Sequence, residues 1–173
     1  MNGRTAVGSV AMGLVTTLAV AGGRPEQVTF PADYATAFRN YVITNRASGK
    51  PEIAKVFAND VAQQSAAAGG PLAPGSILVM EIHKAALNEA GEPVAGEGGV
   101  YTPVALAAIA VMEKRTEWPA AYPEAERAGG WGFALYGPDG KPKENDLVCN
   151  GCHLPYAAQD YLFTRAQLDA AVK

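Results

Sequence analysis

Both cysteines of this 173-residue chain lie in one stretch near its C-terminus, Val148-Cys149-Asn150-Gly151-Cys152-His153. No other feature constrains the chain as much. C-x-x-C-H is the attachment pattern for a c-type haem. Each thiol adds across one vinyl group, with a new S–C bond and the proton going to the other vinyl carbon. The two thioether bonds fix the porphyrin to the backbone, and the histidine supplies an imidazole nitrogen to the iron from the same side. The same residues could serve as a redox pair, a structural disulfide or half a zinc site. Zinc needs about four ligands, and there is no second cysteine pair. A thioredoxin-like pair is expected at the start of a helix after a strand, within a βαβ unit; this motif follows a loop rich in glycine, proline and lysine. The expectation is one covalent haem c, with Cys149 and Cys152 as anchors and His153 as iron ligand.

The N-terminus reads as a targeting segment. Arg4 is its only charge before Arg24, and between them runs a weakly apolar stretch ending in Ala19-Val20-Ala21. A positive start, an apolar middle and a small-x-small end make a secretory signal peptide over residues 1–21, cut after Ala21. An uncleaved anchor is the other reading. The stretch is short and glycine-rich for a span of about 20 apolar residues, so no stable membrane insertion is expected after cleavage. Export, and hence a periplasmic location, agrees with the haem motif, because bacterial c-type haem is attached outside the cytoplasm. Residues 22–173 are then one domain of about 150 residues. The formal charge of −3 becomes −4 when Arg4 is removed. With no basic run, nucleic acid is not an expected partner.

Along the domain, Asp33 can cap a helix whose apolar stripe is Tyr34, Phe38, Tyr41 and Val42, ended by Gly49 and Pro51. Residues 52–58 alternate as a short strand with Ile53 and Phe57 on one face. Asn59 or Asp60 then caps a short helix through Ala68, closed by Gly69-Gly70-Pro71. The clearest strand is residues 77–84: Leu78, Met80, Ile82 and Lys84 fall on one face, and Ile77, Val79, Glu81 and His83 on the other. Turns are expected at residues 88–92 and 96–99. Residues 104–113 suit helix or strand, and hairpin-like spacing favours strand. Trp131 to Tyr136 is another strand, followed by the turn Gly137-Pro138-Asp139-Gly140. A terminal helix over residues 163–172 is capped by Thr164. The fold class is α+β: an antiparallel sheet flanked by helices, with a C-terminal haem-attachment segment. A C-terminal C-x-x-C-H and several strands exclude the small all-helical cytochrome c.

Further stretches carry a family likeness: Phe30-Pro31-Ala32-Asp33-Tyr34, Pro74-Gly75-Ser76-Ile77-Leu78-Val79-Met80-Glu81, Gly130-Trp131-Gly132-Phe133-Ala134 and Asp160-Tyr161-Leu162-Phe163-Thr164. Together with the haem motif they resemble the cytochrome P460 family, which includes the cytochromes c′-β. The resemblance implies a single haem and a homodimer. It also makes the distal side of the iron decisive. P460 cytochromes carry a lysine cross-linked to the porphyrin, which supports hydroxylamine oxidation. The c′-β members cover the iron with apolar residues and leave it open to nitric oxide or carbon monoxide.

Alignment on Gly75 and Glu81 puts Met80 where the lysine is expected. A thioether is a soft, neutral ligand suited to haem iron. Met80 therefore joins Cys149, Cys152 and His153 as a cofactor-binding candidate, and joins His153 as an iron-ligand candidate. Its other reading is ordinary core. Met112, in an apolar strand-like run, is the second candidate. Lys84 is four residues from Met80, about 13 Å along a strand. His83 and Glu81 fall on the opposite face. No catalytic residue is assigned.

The resulting expectation is an exported mono-haem cytochrome for electron transfer, with a redox partner protein, or for reversible binding of a diatomic gas. The alternative is an oxidoreductase acting on hydroxylamine or nitric oxide. A peroxidase-like site lacks a distal His/Arg pair. The C-x-x-C-H pattern predicts that haem stays with the polypeptide through denaturing acid extraction; porphyrin that extracts freely contradicts it.

Overall fold

The strand expected over residues 77–84 lies at the centre of the molecule. The structure is a computed structural model that describes residues 23–145 and 147–173. The expected signal peptide lies outside those residues. Among them no helix is long and apolar enough to cross a membrane. Five strands, β1 (Arg39–Asn45), β2 (Glu52–Ala58), β3 (Ile77–Ala85), β4 (Pro103–Lys114) and β5 (Trp131–Tyr136), form one sheet in chain order. Every neighbouring pair is antiparallel. The helices are short: α1 (Tyr34–Ala37), α2 (Asp60–Ala68), α3 (Cys149–His153) and α4 (Arg165–Ala171). This is the expected α+β class.

Alternation along β3 separates the two faces as the sequence pattern predicts. On the first face, Leu78 pairs with Met112, Met80 with Ala110 and Ile82 with Ala108. Phe133 and Leu135 continue those rows on β5. The end bearing Leu78, Met112 and Phe133 is covered by Ala62 and Ala66 of α2, Leu168 of α4, Leu72 and Leu162. On the second face, Val79, Val111, Ala134 and Tyr136 pack beneath Val28, Tyr34 and Tyr122.

Gly132 explains part of the Gly-Trp-Gly stretch. A Cβ there would stand 2.5 Å from Trp118 Cη2 and 2.8 Å from Tyr122 Cε1. Only glycine lets both rings lie against β5.

The long first helix expected from Asp33 does not form. The helix begun at Asp33 stops after one turn, and residues 39–45 are an edge strand. Val42, Ile43 and Thr44 are consecutive β-branched residues, which suit a strand. The register with β2 shifts between Asn40 and Val42, so Tyr41 is the extra residue of a bulge. Asn40 Nδ2 donates to Val56 O at 3.0 Å, holding the ladder at that point. Tyr41 is partly buried against the same cluster that α2 and α4 cover. The bulge resets the period of two and so imitates a helical stripe at Tyr34, Phe38, Tyr41 and Val42.

Of the two expected caps, Asn59 or Asp60, it is Asn59 that caps α2: its Oδ1 accepts from Ala62 N at 3.0 Å. The same oxygen accepts from Ile77 N at 3.0 Å, and Nδ2 donates to Gly75 O at 2.9 Å. One side chain thus joins the start of α2 to the start of β3. Asn59→Ala removes the cap and both links, and should lower the unfolding free energy by about 2 kcal/mol. Urea denaturation monitored by circular dichroism measures it.

Candidate functional site

The C-x-x-C-H residues fold into α3, a single helical turn. Positions three apart in a helix are neighbours, so both cysteines lie on one side. Neither is in a disulfide; Cys149 is half-buried and Cys152 exposed. Burial pushes the Cys149 thiol up to about 11. Asn150 Nδ2 donates to Ala125 O at 2.6 Å, docking α3 on the preceding loop. Among the described residues no three His, Cys, Asp or Glu side chains are gathered to hold a metal ion. A porphyrin, which brings four nitrogens of its own, asks the protein only for axial ligands.

His153 has a geometry that suits such a ligand. Its Nδ1 lies 2.7 Å from the carbonyl oxygen of Tyr161. A carbonyl only accepts, so Nδ1 carries the proton and Nε2 keeps its lone pair, the tautomer an axial ligand needs. Burial lowers the His153 pKa, opposed by the hydrogen bond to Tyr161, so the ring favours its neutral form. The imidazole packs against Phe133 at 4.9 Å and Phe163 at 4.6 Å between ring centres. Four of the nine exposed large apolar side chains among the described residues, Leu147, Val148, Leu154 and Phe163, flank this turn. Such a rim suits an apolar prosthetic group that covers it. Donor set, tautomer and apolar surroundings all fit a c-type haem.

The sequence contains no local signal for what orients His153. After the 3-10 segment Leu154–Gln159 the chain reverses through Asp160 and Tyr161, both left-handed at φ 54° and 64°. That conformation costs a non-glycine residue about 1–2 kcal/mol, and aspartate tolerates it better than tyrosine. Asp160 is held by Lys114 Nζ at 2.6 Å and by the Leu72 N–H at 2.8 Å. Leu162 is then buried, and Thr164 meets the Tyr41 hydroxyl at 2.7 Å. The Thr164 side chain was expected to cap α4; it makes no cap hydrogen bond and serves that long-range contact instead.

Phe133, which His153 leans on, is itself fixed. Its N–H donates to the Tyr122 hydroxyl at 2.8 Å, and its carbonyl accepts from Arg24 N at 2.7 Å. Burial pushes the Tyr122 phenol up to about 12, so it stays a neutral hydroxyl.

The two candidate methionines share the first face. Met112 pairs with Phe133 and packs in the helix-covered core. Met80 lies in a separate cluster with Ile82, Ala108, Leu135 and Ala110. Lys84 is exposed. Glu81 and His83 are turned to the second face, where Glu81 accepts from the Tyr34 hydroxyl at 2.8 Å and from His83 Nε2 at 2.7 Å. Burial and that contact with Glu81 raise the Tyr34 pKa.

A family model described as Cytochrome P460 matches residues 31–164, from the segment before α1 to the residue preceding α4. No curated protein matches the chain.

Phe133 and Phe163 differ in burial, and their truncation should differ accordingly. Phe133→Ala empties a fully enclosed site and should destabilise the fold by about 3–5 kcal/mol. Phe163→Ala, at a residue 47% exposed, should cost well under half of that. Denaturation of the two variants side by side checks the order.

Proposed function

The chain belongs to the cytochrome P460 family, and from that premise we propose that it is an exported mono-haem c-type cytochrome whose iron serves electron transfer or reversible binding of nitric oxide or carbon monoxide. Cys149 and Cys152 anchor the haem, and His153 offers Nε2 to the iron. When bound, the haem supplies an iron that changes oxidation state and a second axial position for a small ligand. Met80 covers or fills that second position. The protein works as a homodimer in the periplasm, a reading supported by the family likeness and by the N-terminal export pattern.

The observation that carries this reading is the character of the sheet beyond Phe133. Leu135, Ala110, Met80 and Val56 form one apolar row across four strands. Of the three ionisable residues of β3, Glu81 and His83 hydrogen-bond to each other on the far face, and Lys84 is exposed four residues along from Met80. An apolar row with a thioether suits a neutral diatomic ligand or a low-spin iron. Turnover of hydroxylamine calls for proton transfer at the reacting atoms. Met80 in place of a lysine also removes the side chain that the porphyrin cross-link needs.

The test is the absorption spectrum of the matured protein, oxidised and reduced, before and after carbon monoxide. A low-spin reduced spectrum that changes slowly with carbon monoxide supports a filled axial position and electron transfer. Immediate binding to a high-spin reduced protein supports the gas-binding role. A strongly red-shifted reduced Soret band, with a lysine-bearing peptide joined to the haem peptide in a digest, overturns both in favour of the oxidoreductase. For Met80→Ala the expected outcome is higher carbon monoxide affinity. An unchanged spectrum and unchanged affinity would place the ligand elsewhere.

A further inference from the structure

His153 is carried by α3, but its ring is oriented by a carbonyl eight residues further on. The Tyr161 oxygen meets Nδ1 because the backbone reverses through two successive left-handed residues, Asp160 and Tyr161. Tyrosine has no intrinsic reason to adopt that conformation. The Asp160 carboxylate holds the reversal with both oxygens. Oδ1 accepts from Lys114 Nζ at 2.6 Å and Oδ2 from Leu72 N at 2.8 Å. The Lys114 and Asp160 side chains are only 14% and 8% exposed. The lysine comes from the end of β4, and its ammonium also sits 5.5 Å from the centre of the Trp131 ring. On the other side the Tyr161 ring lies against Gly129, where a Cβ would come within 2.6 Å of it. The carbonyl that faces His153 is therefore fixed from the sheet, from the loop before β3 and from Gly129.

We propose that Asp160, clamped by Lys114, is a positioning residue for His153, setting through the Tyr161 carbonyl the strength of the Nδ1 hydrogen bond and so the electron donation of Nε2 to iron. A firm hydrogen bond at Nδ1 makes Nε2 more basic. A more basic axial ligand favours oxidised iron and lowers the reduction potential. This rests on the haem reading above.

The test uses the holoprotein and two variants, Asp160→Asn and Lys114→Gln. Asn keeps the volume and an oxygen for Leu72 N, and Gln keeps a donor near Trp131. Both should loosen the Tyr161 carbonyl, so the reduction potential should rise in both. The His153 Nδ1 proton, followed by NMR in the reduced, carbon monoxide-bound protein, should exchange about tenfold faster. A direct charge effect would act differently. Removing a negative charge raises the potential and removing a positive one lowers it, so the variants would move in opposite directions. Opposite shifts overturn the positioning role. So do folded variants with native potential and exchange rate, which would leave the pair a structural tie alone. If neither variant folds, the native protein decides: a protected Nδ1 proton supports the proposal, and one exchanging like free imidazole overturns it. A native mass without haem overturns the functional reading as well, whereas haem present with an unmoved potential overturns only the positioning role.

Discussion

The contact between Lys114 and Asp160 joins the sheet to the C-terminal segment, and much of the molecule is arranged around it. Two charges largely removed from water lose hydration worth several kcal/mol each, and their attraction offsets that only in good geometry. Such a pair adds little net stability relative to an apolar replacement. Its worth is directional, because either partner left alone is a buried, uncompensated charge costing about 3–5 kcal/mol. At 2.6 Å, with the Leu72 N–H on the second oxygen, the carboxylate has few alternative placements. From that fixed point the chain lays down the Tyr161 carbonyl on His153, Leu162 in the core, Phe163 against the imidazole and Thr164 against Tyr41. Each follows within four residues of Asp160.

The sheet divides its chemistry by parity. Consecutive residues of β3 point to opposite faces, so Met80 joins an apolar row while Glu81 joins a polar network with Tyr34 and His83. A shift of one residue in register would exchange the two sets. Asn59 guards against that shift by tying the first residue of β3 to the start of α2. The bulge at Tyr41 does related work at the sheet edge, turning a tyrosine toward Thr164 and disturbing an otherwise regular strand edge.

Much of this was legible in the chain itself, and the parts that were share a property. The strands β2 to β5, the turn after Tyr136, the Asn59 cap and the ending of α2 at Gly69 are written in residues within a few positions of one another. The haem motif is equally local: three side chains on one turn. What misled was local too. Tyr34, Phe38, Tyr41 and Val42 fit a helical stripe, and only the pairing of β1 with β2 shows that a bulge produced the spacing. Thr164 sits where a cap belongs, yet its hydroxyl serves a residue 123 positions away.

By itself, then, the sequence determined the motif, its position in the chain, the alternation of β3 and the antiparallel α+β class. These follow from covalent spacing and from the periods of strand and helix, which need no knowledge of distant partners. The tertiary structure alone decided that Asp160 and Tyr161 adopt left-handed backbone, that Lys114 holds them, and that the His153 tautomer is set by Tyr161. It also separated the methionines, placing Met112 in the helix-covered core and Met80 in a cluster of its own. The reason is energetic. An unfavourable backbone conformation or a buried charge persists only when its partner arrives from far along the chain. Local preference points the other way until that partner is in place.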